Sequence, residues 1–219
     1  MAKSKKIAES DIISFYMNDV LENNKVPSSV YLFSKQHQFE EAEFYKHFSG
    51  FEKLEKRIFK VFFENTMGLL KNNEEFQSFD ARNKLLSFYY TFFELLTANR
   101  SFVIFSLNEH KNKLKNLEKL SELKESFSDF IEKLEIEIID LNQKTLVDLQ
   151  QKGLQQAAWV QLLLTLQFWI EDTSSSFEKT DVFIEKSVHA SFDLLAIRPM
   201  QSLVDLGKFL FKEKMKSKF

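Results

Sequence analysis

Residues 26–54 read VPSSVYLFSKQHQFEEAEFYKHFSGFEKL, and this stretch contains the clearest structural signals in the sequence. Pro27 cannot lie inside a helix, so a helix ends before it. The serines that follow can cap a short helix over about 30–36. A third helix over about 40–48 begins with acidic residues and is ended by a serine and a glycine. Because a longer helix then starts at Phe51, the stretch predicts two short helices joined by a tight turn and followed by a long helix.

The rest of the chain has the apolar spacing of helices, with apolar residues three or four positions apart. The four glycines and two prolines in 219 residues are too few for a β-protein with many tight turns. Gly153 is expected to interrupt the helical pattern, and Ser175 and Glu178 are spaced as a capping box for the following helix. Further helices are predicted over about 11–21, 51–71, 80–98, 101–113, 117–141, 155–171 and 175–197, with a last one opening at Pro199.

This pattern predicts an all-α fold with two parts. A three-helix head, residues 1–50, is followed by a larger helical-bundle body, residues 51–219. Hydrophobic residues make up 44% of the chain and charged residues 28%, as in ordinary globular proteins. The net charge of -2 gives the whole chain no strong attraction for nucleic acid, so any such attraction must come from a local patch.

Several classes of protein are disfavoured by what the sequence contains. The absence of cysteine excludes disulfides, thiolate catalysis and cysteine-ligated metals. The most apolar window, 157–170, is shorter than the roughly 20 residues of a membrane span, and the first residues do not form a signal peptide. We therefore expect a cytoplasmic protein with no membrane span.

Catalytic and metal-binding patterns are equally weak. Glu43 and His47 lie one helical turn apart, as do Glu185 and His189, but no third ligand is suggested for either pair. The sequence has no glycine-rich phosphate loop, nucleophile elbow or clustered catalytic set. We expect no enzyme activity, no cofactor and no metal.

The opening stretch resembles the N-terminal domain of the TetR family of bacterial regulators. The helix-turn-helix pattern of that family reads, loosely, Thr-Thr/Ser-Val-x-x-Ile-Ala-x-x-Ala-Gly-Val-Ser-x-x-x-Leu-Tyr-x-His-Phe-x-x-Lys-x-x-Leu. In this chain Ser28, Ser29 and Val30 match its start, residues 44–48 match Leu-Tyr-x-His-Phe, and Leu54 matches the closing leucine. The motif covers about the first quarter of the chain, and the number and order of the later helices also resemble the family's effector-binding body.

The resemblance implies a homodimer whose heads each place the third helix in the major groove of double-stranded DNA. It also implies an interface made by the last two body helices of each subunit, and a body cavity for a small ligand. The residues that the resemblance assigns to DNA binding are Ser28, Ser29, Glu41, Ala42, Glu43, Tyr45, Lys46 and His47.

Three departures from the family pattern bear on DNA binding. Gln38 replaces the glycine of the turn, Phe51 replaces a lysine that contacts phosphate, and the base-facing positions include Glu41 and Glu43. Residues 1–60 contain ten Lys/Arg and nine Asp/Glu, a net charge of +1, whereas DNA-binding proteins typically make roughly 6–10 phosphate contacts. A glutamate can accept a hydrogen bond from cytosine N4, or it can simply stabilise the start of a helix, so retained and lost DNA binding both stay open.

Aromatic residues in the body are candidates for a ligand pocket, and an apolar ligand would suit them. The alternative is that they only fill the core. The residues in question are Phe88, Tyr89, Phe92, Phe93, Phe102 and Phe105.

The apolar helix over about 155–171 and the helix after it are candidates for the dimer interface, and an internal helical hairpin is the alternative. Residues 168–195 also weakly resemble helical lipid-binding accessory proteins of coenzyme Q biosynthesis, which share the TetR-like fold and do not regulate transcription. A protein without DNA binding that binds a lipid or a partner is therefore the alternative function. The candidate interface residues are Trp159, Leu163, Phe177, Ile184, Val188 and Leu195.

Overall fold

The structure, a computed structural model, describes residues 6–136 and 144–196. All regular secondary structure in these ranges is helical, which confirms the all-α fold class. The helices are α1 (Glu9–Asn23), α2 (Val30–Gln36), α3 (Glu41–Tyr45), α4 (Phe51–Lys71), α5 (Glu74–Ser78), α6 (Ala81–Ala98), α7 (Arg100–Asn108), α8 (Lys113–Glu118), α9 (Ser121–Lys133), α10 (Lys144–Glu171) and α11 (Glu178–Ala196).

The boundaries of α2 and α4 are those that the sequence predicts. Ser29 caps α2, because its Oγ accepts a hydrogen bond from the backbone N–H of Leu32 at 3.2 Å. The short helix α5 was not anticipated; its cap is Asn73, whose side chain accepts from the backbone N–H of Glu75. The last helix, expected from Pro199, lies outside the described residues.

Two predictions about where helices break are wrong. Helix α10 runs without interruption through Gly153, because a single glycine costs a helix interior only about 1 kcal/mol and 27 other residues continue the helix. The long helix expected over 117–141 is instead divided between α8 and α9. Beyond α9, the left-handed backbone of Glu135 (φ 48°) stops the helix before the described range ends.

The described chain forms two compact units, each with its own core. The first unit contains the described residues up to Leu69 together with Thr91–Ser126. The second contains Leu70–Tyr90 and the described residues from Phe127 onward. Both tryptophans of the chain, Trp159 and Trp169, are buried in the second unit. The division differs from the expected boundary at residue 50, which remains a prediction about a functional head.

An aromatic cluster around Phe33 forms the core beneath α2 and α3. The Phe33 ring is fully buried; besides the His37 ring at 4.9 Å, it meets four aromatic rings of tyrosine and phenylalanine at centroid distances between 5.6 and 6.5 Å. These rings belong to Tyr16, Phe39, Phe44 and Phe51. The first turn of α4 is therefore packed into the same core as the two short helices.

A buried carboxylate closes the loop between α10 and α11. One oxygen of Asp172 accepts hydrogen bonds from the N–H and Oγ of Ser174, and the other accepts from the N–H and Oγ1 of Thr180, all between 2.7 and 2.9 Å. Burial alone would raise the pKa of Asp172, but these hydrogen bonds hold that pKa far below its usual range. The expected capping box of Ser175 and Glu178 is therefore wrong, because Asp172 and Ser174 cap the start of α11 instead.

Candidate nucleic-acid interface

The turn between α2 and α3 keeps a left-handed residue without the usual glycine. Gln38 has φ 58°, a conformation that favours glycine. Its N–H donates to the Lys35 carbonyl, and the N–H of Phe39 donates to the Ser34 carbonyl at 3.0 Å. Phe39 is buried beyond the turn and meets Phe33 edge-on, which fixes the entry into α3. Packing and hydrogen bonds thus hold the backbone of the turn in a left-handed conformation at Gln38, although glutamine, unlike glycine, has a side chain.

Asp19 of α1 holds the end of α2. Its carboxylate accepts a hydrogen bond from the side-chain amide of Gln36 at 2.9 Å and lies 3.1 Å from Nε2 of His37. The His37 ring stacks on Phe15 with centroids 4.3 Å apart. At the other end of α2, Ser29 is half-buried as the N-cap and Ser28 is exposed.

The two glutamates of α3 are bound by neighbours on the same segment. Glu43 is only 8% exposed, and its Oε1 lies 2.5 Å from Nζ of Lys46. Glu41 accepts a hydrogen bond from the Tyr45 hydroxyl at 3.3 Å. Ala42, between them, is exposed. In this arrangement the acids are held by two side chains that the resemblance assigns to DNA.

Tyr45 and Lys46 nevertheless keep a large exposed surface. The Lys46 side chain is 59% exposed, and the Tyr45 ring is about as accessible. Desolvation and the Glu41 carboxylate raise the pKa of Tyr45, so its hydroxyl stays protonated at neutral pH and can donate to an anion. Both groups are therefore accessible to solvent although each is bound to a glutamate.

His47 ties the end of this segment to the start of the chain. Its Nε2 lies 3.2 Å from the carbonyl oxygen of Ile7, an acceptor, so the protonated Nε2 donates there. Residues 1–5, which include Lys3 and Lys5, lie outside the described range.

Phe51 occupies the position at which the resemblance expects a phosphate-binding lysine. Its ring lies 5.4 Å from Tyr16, 5.6 Å from Phe33 and 5.5 Å from Phe44, measured between centroids. The first residue of α4 therefore packs into the core and offers no cation to DNA.

The six residues proposed to line a ligand pocket are divided between the two units. Phe88 and Tyr89 are fully buried in the second unit, where Phe88 packs on Phe127 and Phe130. In the first unit the Phe102 ring meets the ring of Tyr16. The other three proposed residues also belong to this unit: Phe92 and Phe93 are buried, and Phe105 is half-buried. The burial of all but Phe105 agrees with core filling and leaves a role in ligand binding as a prediction.

The residues proposed for the dimer interface have mixed positions. Trp159, Ile184 and Val188 are buried within the chain itself. The other three, Leu163, Phe177 and Leu195, are partly accessible. An interface role for the buried three could only be indirect, by supporting the surface above them.

Helices α10 and α11 carry several accessible apolar groups on their surfaces. Phe168 and Phe183 stack at 4.6 Å between centroids and line an open groove of about 660 Å³ together with Val182 and the stems of Lys179 and Lys186. Val160, Leu164 and Leu194 on the same helices are each more than half exposed.

A sequence model described as "Tetracyclin repressor-like, C-terminal domain" matches residues 84–210 of the chain. The match spans more than half of the 219 residues. The chain belongs to the TetR family. No curated protein matches it. The TetR family is a family of regulators, and its proteins typically bind DNA and form dimers.

For this TetR-family chain, the spacing of residues in the sequence already indicates that the two acids of α3 pair with Tyr45 and Lys46. Glu43 and Lys46 are three residues apart, and Glu41 and Tyr45 are four apart, which are the spacings of neighbours on a helix surface. The conformation of Gln38 had no such signal, because glutamine is rarely left-handed. In the described ranges no helix is long and apolar enough to cross a membrane, and no group of three side chains could hold a metal ion.

Proposed function

We propose that this TetR-family protein is a cytoplasmic transcriptional regulator that binds double-stranded DNA through its head, mainly by contacts to phosphate groups. The observation that supports this most is the left-handed Gln38 in the turn between α2 and α3. An L-residue pays roughly 1–2 kcal/mol for that conformation, and such strain persists where the surrounding structure imposes it, often at functional sites. The helix–turn–helix geometry is retained although the glycine that eases it is absent.

The contacts to phosphate would come from groups at the start of α2 and at the end of α3. Ser28 is exposed beside Ser29, the half-buried cap of α2, and each carries a hydroxyl group. Tyr45 and Lys46 are exposed after α3. Hydroxyl, ammonium and N–H groups that bind phosphate position a protein on DNA without selecting a sequence.

The residues that face bases contribute little to specificity in this proposal. Ala42 can offer only a methyl contact, for example to a thymine methyl group. Glu41 and Glu43 are held by Tyr45 and Lys46, and each carboxylate adds repulsion near phosphates. We therefore expect weak DNA binding with a modest preference between sequences.

Removing the two carboxylates tests this proposal. The double variant Glu41→Gln/Glu43→Gln should bind a labelled duplex more tightly than the wild type at every salt concentration, because it loses two negative charges and releases Lys46 and Tyr45. Fluorescence anisotropy across a salt series is the measurement. The matched control is Glu74→Gln/Glu75→Gln on the exposed surface of α5, which changes the net charge equally and should leave binding nearly unchanged.

Two outcomes would contradict the proposal. If the double variant loses binding to a genomic site that the wild type selects, the glutamates read bases. If neither protein binds any duplex at low salt, the head does not bind DNA. Circular dichroism of both variants shows whether the helices remain formed.

The second candidate is a TetR-fold protein that binds a lipid or a protein partner instead of DNA. It is favoured by one observation: the core packing of Phe51, which removes a phosphate contact that the family pattern supplies. Failure of all DNA binding at low salt would select this candidate.

We further propose that the protein is a homodimer that responds to a small apolar ligand. The exposed apolar surface of α10 and α11 supports the dimer, and membership of the family supports a ligand in the C-terminal domain. Native mass spectrometry after gentle purification tests the ligand, since an apolar molecule should remain bound. Recovery of only the ligand-free protein from its own host would contradict it.

A further inference from the structure

Between α7 and α9 the chain carries a cluster of lysines that the proposed head does not use. Residues 110–117 read HKNKLKNL and contain three lysines and no acidic residue. We call this segment the basic loop. Lys111, Lys113 and Lys115 are all exposed, and none of them forms an ion pair with another described residue.

The basic loop is held in one conformation by a buried side chain. The Asn116 amide donates to the His110 carbonyl at 2.9 Å and accepts from the His110 N–H at 3.0 Å. Asn112 caps α8 by accepting from the N–H of Leu114 at 3.0 Å. Because the backbone between the lysines is already ordered, binding an anion there costs little further conformational entropy.

Ion pairs place the end of the basic loop beside the first turns of α4. Nζ of Lys119, two residues after the loop, lies 3.0 Å from Oε1 of Glu55 and also contacts Glu109. Nζ of Lys53 lies 2.5 Å from Oε1 of Glu122. Glu109 and Lys119, which flank the basic loop, contact each other, and Lys119 contacts Glu55, so both ends of the loop lie close to the first turns of α4, the helix that starts directly after the head.

We propose that the basic loop is a second DNA-binding surface, which contacts phosphates beside those reached by the head. Between residues 28 and 51 the head has Lys35 and Lys46 as its lysines, against three glutamates. Proteins that bind DNA through phosphates typically make roughly 6–10 such contacts, and the basic loop supplies up to three more. This inference rests on the proposed DNA-binding function.

The test is a triple variant, Lys111→Gln/Lys113→Gln/Lys115→Gln, compared with the full-length wild type on a labelled 30-base-pair duplex across a salt series. Each lysine that contacts a phosphate contributes roughly 1 to the slope of log affinity against log salt, so the slope should fall by about 3. The matched control is Lys71→Gln/Lys133→Gln/Lys152→Gln, three exposed residues of the second unit, which should keep the wild-type slope.

The outcomes separate the two proposals. If the wild type binds DNA and the basic-loop variant keeps its slope, the second surface is wrong and the head alone binds. If the wild type binds no DNA at low salt, both proposals are wrong. Leu114 is 70% exposed within the loop, so anionic phosphatidylglycerol vesicles are the competing ligand. Loss of vesicle binding in the variant, with DNA affinity unchanged, would also overturn the inference and identify a lipid-binding surface.

Discussion

Gln38 shows how a single residue can be fixed by its surroundings against its own preference. Hydrogen bonds across the turn and the burial of Phe39 hold its backbone at φ 58°. The sequence predicted a tight turn at this place, and comparison with the family pattern identified Gln38 as the residue that replaces a glycine. Its conformation could not be predicted, because it follows from the aromatic core around Phe33 and not from the local sequence.

We predict that Gln38→Gly raises the free energy of unfolding by about 0.5–1 kcal/mol. Glycine relieves the left-handed strain, which outweighs its larger loss of backbone entropy. Urea denaturation measures the change. Gln156→Gly, the same replacement at an exposed position inside α10, should lower the free energy of unfolding by about 1 kcal/mol. Equal signs for the two variants would contradict this interpretation.

Asp172 is the residue at which stability should respond most clearly to acid. Its folded-state pKa is lowered, so its contribution is present above the ordinary carboxyl pKa of about 4 and is lost as the pH falls through the folded-state value. Asp172→Asn should therefore be less stable than the wild type at pH 7, and it should lose less stability between pH 5 and pH 2. Thermal unfolding across this pH range is the measurement. The exposed Asp129→Asn, as a control, should preserve the acid dependence of the wild type.

At the scale of elements, helix ends were predictable where a local signal marks them. The cap at Ser29 and the restart after Gly50 mark the first residues of α2 and α4. The interior of α10 was not, because the penalty of Gly153 is small against the packing of the helix around it. The pairing of the α3 acids with Tyr45 and Lys46 follows helix spacing, but the burial of Glu43 required the structure, since burial depends on how other elements pack.

Gly153 offers a simple test of this balance. An added Cβ at Gly153 meets no atom within 4 Å, and the same is true of Gly68 in α4. We expect Gly153→Ala and Gly68→Ala each to raise the free energy of unfolding by about 0.5–1 kcal/mol, because alanine restricts the unfolded chain and favours a helix. Urea denaturation would contradict this if either variant were less stable than the wild type.

The buried ion pair of Lys119 and Glu55 is the centre of a polar cluster in the first unit. Lys119 lies between Glu55 of α4 and Glu109 after α7, and the Tyr16 hydroxyl of α1 donates to Glu55 at 2.7 Å. Burial raises the pKa of Glu55, while Lys119 and Tyr16 favour its ionised form. The pair thus depends on every partner being present.

We predict that Lys119→Met lowers the free energy of unfolding by about 3–5 kcal/mol, because it leaves the buried carboxylate of Glu55 without a counter-ion. Lys53→Met, which breaks the more exposed contact with Glu122, should cost less than about 1 kcal/mol. Chemical denaturation of both variants gives the comparison. Similar losses in the two would show that burial of the pair has little energetic effect.

For the whole molecule, the sequence led to the fold class and the family, and the structure supplies the surface on which association can be tested. Several of the apolar residues proposed for an interface are buried within the chain, so the accessible ones on α10 and α11 are the better targets. The sequence could not separate these two groups, because α10 is apolar on almost every side and its neighbours decide which residues are covered.

We predict that Leu164→Glu converts a dimer into a monomer. A stable dimer buries more than about 1,000 Å² in total, and a carboxylate within that area must be desolvated. Light scattering at micromolar concentration is the measurement. Leu69→Glu is the matched control, since Leu69 and Leu164 are 55% and 56% exposed, and it should remain dimeric. A monomeric wild type would contradict the prediction.

The burial of both tryptophans in the second unit gives the molecule an uneven optical signal. Indole emission will report the melting of that unit, whereas far-ultraviolet circular dichroism will report helices from both. Noncoincident transitions would reveal that the units unfold in separate steps. The head contributes no tryptophan emission of its own, but the chain has no cysteine. One thiol introduced at Tyr31, an exposed position on α2, would therefore carry a dye at a single known place and make the head visible.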